Sequence, residues 1–204
     1  MSLRLFAELA APEPGARVHL DAEESHYLRR VRRARDGALV ELLDSAGARA
    51  WDARVLGGDE RRSELQLLAP RRCPTPPRPL TLLGLPEPAA ALEAIADAAE
   101  LGAARIVLVT CARTQGGPPS GARLARVLRA SQRQCGRPSP PEIAGPVALR
   151  LAIAEATGAR YFAWEALGGQ PDRLALAAGE PASLVVGPEG GLTEAEAADL
   201  HAAG

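Results

Sequence analysis

Apolar and polar positions change their rhythm once along this chain. Up to about residue 70 the apolar residues come in short pieces, Leu3–Phe6, Arg17–Leu20, Ala38–Leu43, Ala50–Leu56 and Ser63–Leu68, separated by Gly, Asp and Arg. Short strands at this spacing predict a small β-barrel. From residue 80 onward, apolar runs alternate with helical periods. Leu80–Leu85 reads as a strand. Pro86–Leu101 reads as a helix with Leu92, Ile95, Ala96 and Ala99 on one face and Glu93, Asp97 and Glu100 on another. Gly102 ends it, and Arg105–Thr110 is a second buried strand, so the unit predicts a parallel, right-handed crossover. Between the two regimes, residues 70–79 hold five Pro in ten positions, a stiff and extended connection. The expected fold class is therefore α/β, with a β-barrel domain over 1–70 and a parallel-sheet domain over 80–204.

Further on, the pattern predicts helices over Ala122–Cys135 and Leu149–Thr157, a strand over Tyr161–Trp164, and a connection carrying Glu165. The run Ser183–Val186 is a buried strand stopped by Gly187-Pro188. Gly190-Gly191 then permits positive φ and close approach of a ligand to the backbone. Thr193 opens a helix, and Glu196 three residues on completes a capping box. This turn exposes backbone N–H groups and carries the carboxylate of Glu189. Two readings stand: an ordinary strand-to-helix turn, or a ligand-binding one. It is not a Walker loop, because no Lys follows, and it lacks the spacing of a dinucleotide fingerprint.

Charge sharpens two stretches. The net charge is −1 with no Lys, so all 24 basic residues are Arg, and an Arg is not functional merely for being Arg. Any affinity for nucleic acid must come from local patches. Arg29, Arg30, Arg32, Arg33 and Arg35 fall within seven positions, in a segment where Leu28 and Val31 form one apolar edge of a short helix. That is either a solvated turn or a phosphate-binding edge, since Arg forks match phosphate oxygens. In the second stretch Arg123, Arg126, Arg129, Arg133 and Arg137 share an arc of roughly 120° at helical spacing. Leu124, Val127, Leu128 and Ser131 lie opposite. A solvated face usually mixes Glu with Arg, so a stripe without acids favours a polyanion partner. Cys73, Cys111 and Cys135 are widely spaced with no His nearby, so neither a metal site nor a disulfide framework is expected, and a cytoplasmic setting follows. No segment resembles a membrane span or a signal peptide.

Gly187-Pro188-Glu189-Gly190-Gly191-Leu192-Thr193 with Glu196 resembles the G-P-E-G-G-[FL]-[ST]-x-x-E signature of the RsmE family, SPOUT-class methyltransferases. Other segments agree in order: Arg4 and Phe6; His26, Leu28, Val31, Arg33 and Gly37; Ala98-Ala99-Glu100-Leu101-Gly102; Arg113; Gln134-Cys135-Gly136-Arg137; and Pro141-Glu142-Ile143. The chain departs from the family at Arg32, Ala38, Glu87, Asp97 and Arg133, the last a reversal of charge. The family also continues past this chain's last residue with a tail that completes the cofactor pocket and ties a trefoil knot.

The resemblance implies methylation of uridine N3 in 16S ribosomal RNA of the small ribosomal subunit, with S-adenosyl-L-methionine as donor. It implies a PUA-like RNA-binding barrel before the SPOUT domain, and a homodimer. Arg113 and Glu189 are the catalytic candidates, Arg113 to orient a substrate anion or phosphate and Glu189 to position cofactor or substrate. Gly187, Pro188, Glu189, Gly190, Gly191 and Leu192 would line the cofactor site. His26, Arg29, Arg30, Arg32, Arg33, Arg123, Arg126, Arg129, Arg133 and Arg137 would hold RNA. The alternative is a catalytically inactive RNA-binding protein of the same architecture. A nucleotide-binding α/β enzyme unrelated to RNA explains the glycine turn but not the Arg stripe.

Overall fold

The computed structural model of the chain describes residues 3–44, 48–72, 80–83, 88–164 and 180–203. Cys73, Glu87, Glu165, most of the Pro-rich connection and the last two positions of the strand expected over Leu80–Leu85 lie outside them. The chain divides into two compact units: Met1–Thr75 with Gln132–Pro140, and Pro76–Ser131 with Pro141–Gly204.

In the first unit, β1 (Arg4–Phe6), β2 (Arg17–His19), β3 (Leu39–Asp44), β4 (Arg49–Gly58) and β5 (Ser63–Arg71) form one sheet in the order β1-β3-β4-β5-β2. β1 runs parallel to β3, and the other pairs are antiparallel. Alternating residues of these strands, among them Leu5, Leu42, Val55, Leu65 and Leu67, bury one face around Leu28. A barrel was expected, but among the described residues β1 and β2 are the two edges and do not pair, so the sheet is open. Helix α1 (Ala22–His26) is capped by Asp21, whose carboxylate accepts the Glu24 N–H at 2.7 Å. It runs directly into a π-helical turn over Tyr27–Val31, closed by the Arg32 N–H bond to Tyr27 O. The wider turn rotates Val31 off the edge that Leu28 buries. Leu28 is fully buried while Val31 is 57% exposed, so the single apolar edge expected there is not formed.

In the second unit, β6 (Leu80–Leu83), β7 (Arg105–Thr110), β8 (Glu142–Ala148), β9 (Ala159–Ala163) and β10 (Ala182–Val186) make a wholly parallel sheet ordered β8-β7-β6-β10-β9. Helices α2 (Pro88–Leu101), α3 (Gly121–Cys135), α4 (Leu149–Glu155) and α5 (Glu194–Ala202) cover it. β7 shows why both faces must be covered. Ile106 and Leu108 pack with Ile95 of α2 and Leu128 of α3, whereas Val107 and Val109 pack with Ile153 of α4 and Leu200 of α5. β8 was not expected from the pattern, because Gly145-Pro146 interrupts it. As an edge strand it tolerates the Pro, and the register with β7 shifts there, between Val107 and Val109. Gly145 has φ +92°, and a Cβ on it would lie 2.3 Å from Leu108 O, so only glycine fits that step.

Candidate active site

The sheet changes direction at β6. From it the chain builds outward through β7 to β8 on one side, while β10 and β9 lie on the other. Ligands of open parallel sheets bind outside the carboxyl ends of the strands at such a reversal. Two described segments leave the sheet there: Cys111–Gln115 after β7, and Gly187–Leu192 after β10.

Each segment is internally closed. Cys111 N–H donates to Thr114 Oγ1 at 2.8 Å, and Thr114 N–H returns a bond to Cys111 O at 3.1 Å. In the glycine turn Gly191 N–H donates to Pro188 O at 2.7 Å, and Gly191 takes φ +72°. Leu192, 3% exposed, anchors the turn in the core beside Val185 and Leu200. A Cβ on Gly187 would come within 3.1 Å of Leu192 Cγ, and one on Gly190 within 3.2 Å of Arg113 Cβ, so both glycines serve close packing. The capping box at Thr193 and Glu196 is formed in full.

The two segments are joined. Arg113 Nη1 donates to Gly190 O at 2.7 Å, and Ala112 N–H donates to Glu196 Oε1 at 2.7 Å. Arg113 is exposed and forms no ion pair among the described residues, so its charge is available to an anion. Glu189 is exposed at the tip of the turn. Burial works to raise the Glu196 carboxyl, but bonds from Thr193 and Ala112 and the nearby Arg113 charge outweigh it and hold it below its ordinary value. The Cys111 thiol is pushed up to about 11, first by burial and then by the Glu196 charge, against a smaller opposing bond to Thr114.

Over residues 74–204 the sequence matches the family of RNA methyltransferase domains. The chain belongs to that family. Solved structures share the fold. A ribosomal RNA small subunit methyltransferase E from Neisseria gonorrhoeae, bound to S-adenosyl methionine, is 22% identical, with all of this chain and 86% of that one covered at a TM-score of 0.81. A probable rRNA-methyltransferase from Porphyromonas gingivalis is 18% identical, with 99% and 86% covered and a TM-score of 0.79. A putative methyltransferase from Legionella pneumophila in complex with bound cofactor SAM is 19% identical, with 100% and 87% covered and a TM-score of 0.77. No curated protein matches the sequence significantly.

The basic residues of this RNA methyltransferase-family chain sort into exposed and engaged groups. Arg30, Arg32 and Arg33 are exposed, and Arg33 holds φ +52°. Arg29 instead turns inward to Ser63 Oγ at 3.1 Å, Ala34 O at 3.2 Å and the Asp36 carboxylate at 2.8 Å. His26 ends α1 and lies 3.7 Å from the Glu60 carboxylate. On α3, Arg123 and Arg126 are exposed, and Arg129 is half-buried with a partner of its own. Arg133 pairs with the buried Glu24. α3 ends at Cys135, and Gly136 has φ +80°, so Arg137 leaves the helical arc on which the sequence put it. Five Arg in one stripe thus become two fully exposed ones: Arg129 is half-buried, Arg133 is paired within the first unit, and Arg137 lies past the end of α3. The residue missed altogether is Glu196 as a link between segments; its signal, the capping box, spoke only of a helix start. Among the described residues no cluster of His, Cys, Asp and Glu could hold a metal, and no helix is long and apolar enough to cross a membrane.

Proposed function

We propose that this chain methylates N3 of a uridine in 16S ribosomal RNA, using S-adenosyl-L-methionine bound at the carboxyl end of β6. The observation that carries the reading is the join of the Arg113 loop to the glycine turn at the sheet's reversal. It is a glycine-lined, close-packed edge with the exposed Arg113 cation beside it. Such an edge fits the cofactor: Gly187 and Gly190 let the turn pack closely on Leu192 and Arg113, Leu192 anchors it in the core, and the exposed Gly190 backbone is open to a ligand. When bound, S-adenosyl-L-methionine supplies a sulfonium methyl group for in-line displacement.

Uridine N3 must lose its proton before its electron pair can form the new N–C bond. A positive charge opposite the uracil carbonyl oxygens favours that loss by stabilising the anion. Arg113 is the residue for this role, held by Gly190 O while keeping its charge. Glu189, at the turn, positions cofactor or substrate. The target base must be unpaired or flipped, since pairing blocks N3. Arg30, Arg32, Arg33, Arg123 and Arg126 hold phosphates, with the first unit acting as a PUA-like RNA-binding module. The SPOUT class with its trefoil knot, a homodimer and a cytoplasmic setting complete the proposal.

The test is methyl transfer from labelled S-adenosyl-L-methionine to small ribosomal subunits lacking the modification, with nucleosides separated by mass spectrometry. 3-Methyluridine is expected. A methyl group on another base or atom, or RNA binding without any transfer, would overturn the reading, the latter in favour of an inactive RNA-binding protein.

A further inference from the structure

We propose that Glu196 is a positioning residue whose carboxylate clasps the loop after β7 to the turn after β10, across the end of β6, and so sets Arg113 against the glycine turn. A capping box needs one carboxylate oxygen, and here Oε2 alone does that work. It accepts Thr193 N–H and Thr193 Oγ1–H, both at 2.9 Å. Oε1 is left over by the box, and it accepts Ala112 N–H at 2.7 Å from 84 positions away. The donor is backbone, next to Arg113 and inside the reciprocal Cys111–Thr114 turn, so holding it holds the whole loop.

β7 and β10 are not neighbours, because β6 lies between them. Two bonds, both donated by the loop after β7, therefore bridge over β6: Ala112 N–H to Glu196, and Arg113 to Gly190 O. Their acceptors lie six positions apart, one on the glycine turn and one in the first turn of α5, so the loop is held at two points. A bond to an ionised carboxylate is stronger than one between neutral groups. The clasp stands on geometry; its importance for the cofactor rests on the methyltransferase reading.

Glutamine separates cap from clasp. Glu196→Gln offers one acceptor oxygen where two are used, since its amide nitrogen is a donor. If that oxygen keeps the cap, the nitrogen meets Ala112 N–H donor to donor. Thr193→Ala does the opposite: it removes the hydroxyl of the cap and leaves both Glu196 oxygens in place. The experiment measures amide hydrogen exchange at Ala112 in the full chain, with melting temperature and calorimetric titration of S-adenosyl-L-methionine. In Glu196→Gln, exchange at Ala112 is expected to rise about tenfold or more, and the cofactor Kd to rise about tenfold. In Thr193→Ala, Ala112 should exchange as in the parent chain even if the melting temperature falls. Unchanged exchange at Ala112 in Glu196→Gln together with an unchanged melting temperature, or equal acceleration in both variants, would overturn the clasp; unchanged exchange with a lowered melting temperature means that the one oxygen kept Ala112 and gave up the cap. RNA binding without methyl transfer in the assay above would overturn the methyltransferase reading alone, since the exchange comparison needs no ligand.

Discussion

The guanidinium of Arg133 lies against the fully buried carboxylate of Glu24, 4.1 Å from the Tyr27 ring centroid and 5.3 Å from that of Phe6. The other Glu24 oxygen accepts Phe6 N–H at 3.1 Å. Arg4 adds to the same region, donating to the backbone carbonyls of Arg133 and Gln134 while its Nε meets Glu41 at 3.0 Å. The charge that departs from the family pattern at position 133 thus has a buried partner. Arg133→Ala should strand that carboxylate and cost about 3 kcal/mol, since breaking a buried pair leaves an uncompensated charge. Urea unfolding checks this; a destabilisation below about 1 kcal/mol would contradict it.

RNA binding should depend on a different pair. Replacing Arg123 and Arg126 by Gln is expected to lower the log–log salt slope by about 0.7–0.9 for each phosphate that is no longer neutralised. Both side chains are exposed, so stability should change by less than about 0.5 kcal/mol. Filter binding at several salt concentrations measures the slope. An unaltered slope in the folded double variant would make this face of α3 merely solvated.

Gly187→Ala should be costly although its new methyl is small. The methyl would press on Leu192 Cγ at 3.1 Å, and Leu192 is held among Val185, Leu200 and Val109. Overpacking of that kind costs about 1–3 kcal/mol. Thermal unfolding should register the destabilisation, together with weaker binding of S-adenosyl-L-methionine. A variant as stable as the parent would mean that Leu192 has room to move.

Two groups at the crevice set opposite pH limits. The Cys111 thiol titrates at about 11 in the folded chain against an ordinary 9.0. Its contribution is therefore complete below about pH 9 and is lost as pH rises toward 11. At pH 8 iodoacetamide should modify Cys111 at least about tenfold more slowly than the half-exposed Cys135. The Glu196 carboxyl is shifted the other way, below its ordinary 4.5. Its contribution is present above that value and is lost as pH falls through the lower, folded one. Protonation places a hydrogen on one of two accepting oxygens, so exchange at Ala112 should quicken in acid, once the intrinsic pH dependence of exchange is subtracted. Peptide-resolved mass spectrometry reads both effects.

Much of the second unit was legible because its signals are local. A β-branched run makes β7, a second one stopped by Gly187-Pro188 makes β10, and Thr193 with Glu196 caps α5 using atoms three residues apart. The order of the strands, the openness of the first sheet and the existence of β8 were not legible. Each depends on which strand is a neighbour, and an edge position forgives a Pro that a central one would not. The candidate site divides in the same way. The glycine turn and Arg113 are visible as residue types in a row, but helical periodicity reports only which side of its own axis an Arg occupies. It does not say that Glu24, 109 positions away, waits beside Arg133, nor that the spare oxygen of Glu196 faces Ala112. Those assignments belong to tertiary structure, because a buried charge or a spare acceptor is satisfied by whatever the fold brings within about 3 Å, at any distance along the chain.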